Sequence, residues 1–279
     1  GRRLHMVSGF PVGLIDASVG GTTVEAWTSR KKLQSTKGTG LLIDEWDEKI
    51  SSYDANKSLN EKIKRWEKDS ERRKNRGEKP NPKPTKPDQD PATDRNNPGA
   101  SYNAMIAPIS GLNISGAVFN QGYNNALGNA RPSLYRQTFQ AMMEDWRKAF
   151  RNDKMPFCII GLTAGGEPQT YENFELRTTD PAPYIREAQF LATKSLEFAE
   201  FLPAYDQQVP WYHPHKKFEL GERAARWAMN TVLGHQRIGW KPVELLSAKK
   251  NDDHFILNFE KPIRVHDGRP FSGFSISGK

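Results

Sequence analysis

The residues of this 279-residue chain whose types and spacing could do chemistry fall in three turns. The first is Gly20-Gly21, which follows the short apolar run Val12-Gly13-Leu14-Ile15 and precedes Glu25-Ala26-Trp27. Adjacent glycines let a backbone turn sharply and leave N–H groups open to a bound oxygen. A strand that ends in such a turn is a common ligand site in α/β folds. The second turn, Asn120-Gln121-Gly122-Tyr123-Asn124-Asn125, ends the run Ile114–Phe119 and offers side-chain amides as donors. The third is Trp211-Tyr212-His213-Pro214-His215, a loop ahead of a helical pattern over 219–232. An imidazole there can accept a proton near neutral pH. On the residues alone, a Gly-Gly pair reads first as a tight structural turn, and a histidine before a proline as an ordinary surface or core residue. Asp206, seven residues ahead of His213, is the nearest upstream carboxylate. The single cysteine, Cys158, lies in Phe157-Cys158-Ile159-Ile160 and reads as a buried, inert thiol. His213 and His215 flank a proline with no carboxylate pair nearby, so neither a metal nor a cofactor is expected.

Alternating apolar runs and helical patterns must position these turns. Arg2–Met6 predicts a helix closed by Ser8-Gly9, followed by a strand over 11–15 buried on both faces. Residues 41–76 read as helical, with Leu41, Leu42, Trp46, Ile50 and Tyr53 inward, thinning to Leu59, Ile63 and Trp66. Six prolines between 77 and 99 predict an extended surface linker. Ile114–Phe119 predicts the next buried strand and Tyr135–Phe150 an amphipathic helix, with Leu134, Phe139, Met142, Met143 and Trp146 on its inner face. Phe157–Leu162 predicts a third strand ending at Gly165-Gly166, and Arg186 opens another helix. The helix over 219–232 presents Leu220, Ala224, Trp227, Ala228 and Thr231 and ends at Gly234. This alternation argues for an α/β fold with a parallel sheet covered on both faces. Beyond Trp240, the runs Val243–Leu246, Phe255–Phe259, Ile263–Val265 and Phe271–Ile276, with Asp267-Gly268 as a turn, predict a β-rich module.

The length suffices for one substantial core with an appendage. The chain is 36% hydrophobic and its mean hydropathy of −0.77 is low, in large part through residues 41–99. No stretch reaches the roughly 20 apolar residues that span a bilayer. The net charge is +8 and the pI about 9.4. Its basic residues are mixed with acids and form no stripe interleaved with aromatics, so nucleic acid is not an expected partner. Polyanion binding through 60–87 is the weaker alternative.

The stretch Pro11-Val12-Gly13-Leu14-Ile15-Asp16-Ala17-Ser18-Val19-Gly20-Gly21-Thr22-Thr23-Val24-Glu25-Ala26-Trp27 resembles a sequence block of the sialate O-acetylesterase-like carbohydrate esterases of the SGNH (GDSL-like) hydrolase superfamily. The wording of Asn97–Pro108, of the turn at Gln121 and Asn125, of Arg186-Glu187-Ala188-Gln189, of His213-Pro214 and of Asp267–Phe274 is similar to that family as well. The resemblance implies a three-layer, flavodoxin-like SGNH core over 1–239, incomplete here. It has an insertion over 41–99 (with the Pro-rich linker at 77–99) and the start of a β-sandwich over 240–279. It implies removal of O-acetyl groups from sialic acid or polysaccharide, outside the cell or in the periplasm. His213 would be the general base, and Gly20, Gly21 and Gln121 would hold the oxyanion. Asn125, Glu25 and Trp27 would support the pocket or line it. The family's nucleophile lies in a Gly-Gln-Ser-Asn turn that this sequence lacks, and Ser18 matches a serine that is not the nucleophile. With a start inside a helical pattern and a stop inside the β-module, the chain reads as a fragment. Tyr123 stands where the family has glutamate, and Pro210 and Trp211 where an aspartate would orient the histidine, leaving Asp206 as the possible acid. A catalytically degenerate carbohydrate-binding or scaffold relative is the alternative reading.

Overall fold

A computed structural model of the chain describes residues 1–127, 130–163, 170, 172–173, 181–207 and 217–264. Its α-helices are α1 (Arg2–Ser8), α2 (Arg30–Ser35), α3 (Leu41–Ser51), α4 (Ala55–Asn75), α5 (Pro132–Ala149), α6 (Pro181–Lys194) and α7 (Phe218–Trp227). Its strands are β1 (Ala117–Phe119), β2 (Phe157–Ile160), β3 (Ala199–Leu202), β4 (Leu245–Asn251) and β5 (His254–Phe259).

The first three strands form a parallel sheet in the order β1-β2-β3, with Val118 opposite Cys158 and Cys158 opposite Glu200. Side chains alternate across a strand, and the two faces meet different layers. Phe119, Phe157, Ile159 and Ala199 join a core with Phe139, Met142, Met143 and Trp146 of α5 and Ile185, Ala188 and Ala192 of α6. Cys158, Ile160 and Leu202 point the other way, onto Leu220 and Trp227 of α7 and Ala228 beyond it, with Leu4 of α1 alongside. The α/β fold with helices on both faces of a parallel sheet is therefore observed. Cys158 is fully buried and burial pushes its thiol up, as expected of an inert core residue.

Two predicted strands change. Residues 9–19 form no regular structure, and Leu14 and Ile15 are 75% and 53% exposed. An apolar run becomes a strand only when a neighbouring backbone accepts its ladder, and no strand of the described residues pairs with it. For the same reason β1 is short and lies at the sheet edge, with Val118 51% exposed rather than buried. The sequence pattern also misses β3, because Glu200 interrupts its apolar run. That carboxylate accepts bonds from Trp227 Nε1 (2.6 Å) and Thr231 Oγ1 (3.0 Å), so it is satisfied on the α7 side.

The helix expected to open at Arg186 begins at Pro181, since proline is tolerated in a first turn. The helix over 219–232 is observed as α7 followed by a wider, π-helical turn over Ala228–Val232. The helical stretch 41–76 is two helices, divided where Asp54 caps α4 by accepting from Lys57 N. The Pro-rich segment has no helix or strand, as expected, but it is docked. Trp46 Nε1 donates to Pro91 O, Trp66 Nε1 to Asn81 O and Tyr53 OH to Asp88 O. Lys62 and Arg65 both pair with Asp88, and their hydrogen bonds hold its carboxyl below the usual range. Antiparallel β4 and β5 meet at a turn over Asp252-Asp253, with Asp252 at φ 50°. Val265, Asp267-Gly268 and the Phe271–Ile276 run lie outside the described residues.

Two outcomes follow from this packing. A methyl group at Gly161 would overlap the Phe201 ring, so Gly161→Ala should destabilise by about 1–3 kcal/mol in urea melts, and adding Phe201→Leu should restore part of the loss. Asp88→Ala removes the ion pairs that pin the Pro-rich segment, so limited proteolysis between 77 and 99 should accelerate while the thermal midpoint of the core stays within a few degrees.

Candidate active site

Two of the three turns converge on one cavity of about 430 Å³. Gly20, Gly21 and Thr22 line one side, Gln121, Gly122 and Tyr123 line the other, and Trp27 forms part of the wall. The second turn leaves the C-terminal end of β1, where parallel sheets place ligands. Gly21 has φ 72°, a left-handed conformation that favours glycine. Asn96 fixes the turn: its Oδ1 accepts from Thr23 N (2.8 Å) and its Nδ2 donates to Gly21 O (3.1 Å). Among the described residues, neither Gly20 N–H nor Gly21 N–H donates to a protein acceptor, and both residues are exposed. Both amides are therefore available to an oxyanion.

Gln121 is differently employed. Its Nε2 donates to Thr22 O (3.0 Å) and to Asn125 Oδ1 (2.6 Å), and its Oε1 accepts from Tyr135 OH (3.1 Å). Its amide hydrogens already have acceptors within the protein, so it braces the Gly-Gly turn in this structure. The same network takes in Asn125, whose Oδ1 accepts from Val24 N and whose Nδ2 donates to Glu25 Oε2. Glu25 and Asn125 line a smaller cavity of about 140 Å³ with Thr23 and Arg131. Trp27 is buried and its Nε1 donates to Thr22 Oγ1 (2.8 Å).

Gln189, which the sequence reading did not single out for chemistry, ties the network to the sheet. Its Oε1 accepts from Leu162 N (3.0 Å), and its Nε2 donates to Gln121 O (2.5 Å) and Tyr135 OH (3.2 Å). The available signal was a carboxamide among Ile185, Ala188 and Ala192 on the inner face of α6. Gly122, at φ 138°, leaves room for it: a methyl group there would stand 2.9 Å from Gln189 Nε2.

Tyr123 occupies the place expected of a glutamate. Its hydroxyl accepts from Thr163 N (2.9 Å) and hydrogen-bonds the Thr163 hydroxyl, and burial pushes its acidity further from neutral pH. No described residue lining the 430 Å³ cavity is charged. Ser18 lines it too and donates to Asp16 Oδ1. Asp206, the possible acid, is held by Arg223, whose Nη1 and Nη2 lie 2.8 and 2.5 Å from its oxygens. That hydrogen bonding holds its carboxyl below the usual range. His213, His215, Pro210 and Trp211 lie outside the described residues, as does the Gly165-Gly166 turn.

Gln189→Leu should cost about 2–4 kcal/mol, since it strands buried partners such as Leu162 N–H and Gln121 O at about 1–3 kcal/mol each. A loss below about 0.5 kcal/mol in urea unfolding would contradict the network's role. The Asp206–Arg223 pair gives a pH signature. A depressed folded pKa contributes stability above the unfolded value, about 4, and that contribution is lost as pH falls through the folded value. Because the side chain of Asp206 is 48% exposed, Asp206→Asn should cost under about 1 kcal/mol at pH 6 and nothing near pH 2.

Comparison with known proteins places these features. No family model matches the chain. It is 29% identical over 171 residues to the sialate O-acetylesterase of Pongo abelii, covering 59% of this chain and 24% of that protein. It is 32% identical over 152 residues to the sialate O-acetylesterase of Rattus norvegicus, covering 54% of this chain and 25% of that protein. The matched stretch is thus about a quarter of the length of these relatives. A carbohydrate acetylesterase from Xanthomonas citri superposes with a TM-score of 0.63 at 19% identity, over 93% of this chain and 45% of that protein. At that identity the superposition speaks to the fold. In sequence this chain is sialate O-acetylesterase-like, and its α/β fold matches that of a carbohydrate acetylesterase.

Proposed function

We propose that this chain carries the greater part of a carbohydrate O-acetylesterase site of the SGNH type, acting on acetyl esters of sialic acid or of polysaccharide outside the cell or in the periplasm. The observation that supports this most is the convergence of two esterase-like turns, Gly20-Gly21 and Asn120–Asn124, on one cavity at the end of the parallel sheet. In this reading a serine Oγ, from a Gly-Gln-Ser-Asn turn that this sequence does not contain, attacks the acetyl carbonyl. His213 takes the serine proton and returns it to the sugar oxygen as the ester bond breaks. Water then attacks the acetyl-serine with His213 again as base, and acetate leaves. The negative oxygen of each tetrahedral intermediate sits against the Gly20 and Gly21 N–H groups, which Gln121 and Asn96 hold in place. Asn125 and Glu25 serve as supports and Trp27 as a wall. Asp206 can orient His213 only by sharing its carboxylate with Arg223.

A second reading has its own observation. The described cavity wall contains no carboxylate, Tyr123 is a neutral phenol in a glutamate's place, and Asp206 is already paired. A binding or scaffold relative would bind acetylated sugars without releasing acetate.

The test is acetate release from O-acetylated sialic acid and acetylated polysaccharide by the native protein that contains this chain. His213→Ala should lower the rate by about 10³-fold or more, the scale seen when a triad member is removed. Asp206→Asn should lower it by tenfold or more if Asp206 orients the base, on the order of one lost hydrogen bond to a charged group. Release unchanged by His213→Ala would overturn the esterase mechanism. Sugar binding with no acetate release would favour the second reading.

A further inference from the structure

The positive charge of the chain is concentrated in one place. Residues 72–87 hold seven Lys and Arg and a single acid, Glu78, so this short segment carries +6 of the net +8. Arg72 and Arg73 pair with Asp69, and Arg73 also with Glu78. Lys74, Arg76, Lys79, Lys83 and Lys86 are exposed and form no ion pair among the described residues. These cations stand on a fixed frame. Gly77, at φ 72°, ends α4 in a left-handed turn in which Glu78 N donates to Arg73 O and Gly77 N to Lys74 O, both at 2.9 Å. The chain then returns along α4. Trp66 Nε1 donates to Asn81 O (2.7 Å), Lys83 Nζ lies 5.9 Å from the centre of the Trp66 ring, and Asp88 N donates to Ser58 Oγ (3.0 Å). Pro80, Pro82, Pro84 and Pro87 favour an extended backbone between these anchors. At the extended rise of about 3.1 Å per residue, Lys79, Lys83 and Lys86 follow one another at roughly 9–12 Å.

A row of cations whose backbone is fixed before binding attracts a polyanion without the ordering cost that a free basic tail incurs. Charges set at intervals along an extended segment fit a linear chain with acidic groups along its length better than one small anion. The residue types narrow the class further. Trp46 and Trp66 are engaged with the Pro-rich segment through their indole N–H groups, and no exposed large apolar side chain lies between 55 and 99. The surface therefore lacks a platform on which bases stack and a group that enters a bilayer. We propose that residues 72–87 form a docking surface for an anionic polysaccharide, one that carries sulfate or carboxylate groups along its chain. None of these residues lines the cavity at the Gly20-Gly21 turn, so the surface binds glycan independently of what that cavity holds.

The experiment is titration of the 279-residue chain with a heparin-derived octasaccharide over a range of salt concentrations. A neutral dextran oligosaccharide, duplex DNA and phosphatidylcholine–phosphatidylserine vesicles are the comparison probes. The octasaccharide should bind, the neutral glycan should not, and affinity should fall steeply as salt is raised. Changing Lys79, Lys83 and Lys86 together to Gln should weaken octasaccharide binding by about tenfold or more and flatten the salt dependence. Changing Lys31, Lys249 and Lys250 to Gln removes the same charge from other exposed sites and should cost less than about threefold. Both triple variants should keep the thermal midpoint within a few degrees of wild type, as exposed substitutions do. No octasaccharide binding at low salt overturns the docking surface. So does an equal loss in the two triple variants, which would make the attraction a property of net charge alone. Tighter binding of DNA or of vesicles than of the octasaccharide overturns the assignment to a polysaccharide. None of these outcomes bears on the cavity at Gly20-Gly21.

Discussion

The site depends on one constraint: the buried carboxamides of Gln121 and Gln189 must each find partners on separate elements. Gln189 reaches from α6 to the ends of β1 and β2, and Gln121 reaches from the end of β1 to the turn after Gly21. Tyr135 of α5 closes the circuit by donating to Gln121 and accepting from Gln189. A buried amide left without partners costs more than its hydrogen bond contributes. The network therefore has few alternative arrangements, and it fixes the Gly-Gly turn relative to the sheet. That turn has no strand behind it among the described residues, so side-chain bonds from Gln121 and Asn96 do the positioning that a ladder would otherwise do.

The apolar layers make this polar assembly possible. Trp27, Phe119 and Trp146 meet at ring separations of 5.6–6.4 Å, largely edge-to-face, so the segment after the turn is anchored in the same core as β1 and α5. Trp146 Nε1 donates to Trp27 O, and Asp145 Oδ2 accepts from Ser29 N at the start of α2. Both bonds come from α5, the helix that also supplies Tyr135. One helix thus serves as the core's main wall and as a supplier of polar contacts to the site.

Much of the fold was legible because it follows from period and punctuation. The inner stripe of α5, the run at Phe157–Ile160 and the left-handed stop at Gly234 are local signals, and each holds in the structure. What the sequence hid is non-local. Leu14 and Ile15 carry a strand's composition but have no pairing partner, while Ala199–Leu202 lacks that composition and is paired. Gln121 was legible as a residue of the second turn, but whether its amide faces the cavity or the protein depends on Thr22, Asn125 and Tyr135, far from it in sequence or across a turn. Gln189 stood in a family-like stretch, but its bracing role was not legible, since its partners come from β1, β2 and α5. Local wording identified the turns; only packing revealed what holds them.

The central claim is that the Gly20-Gly21 turn is the acetyl-binding end of the cavity. Nitrogen–proton correlation spectra of the labelled chain, recorded while an O-acetylated sugar is added, test it most directly. The account predicts saturable shifts of the Gly20 and Gly21 amides together with the Trp27 indole, and no change at the exposed β4–β5 hairpin. Saturable shifts confined to other parts of the chain, with Gly20 and Gly21 unmoved, would contradict it.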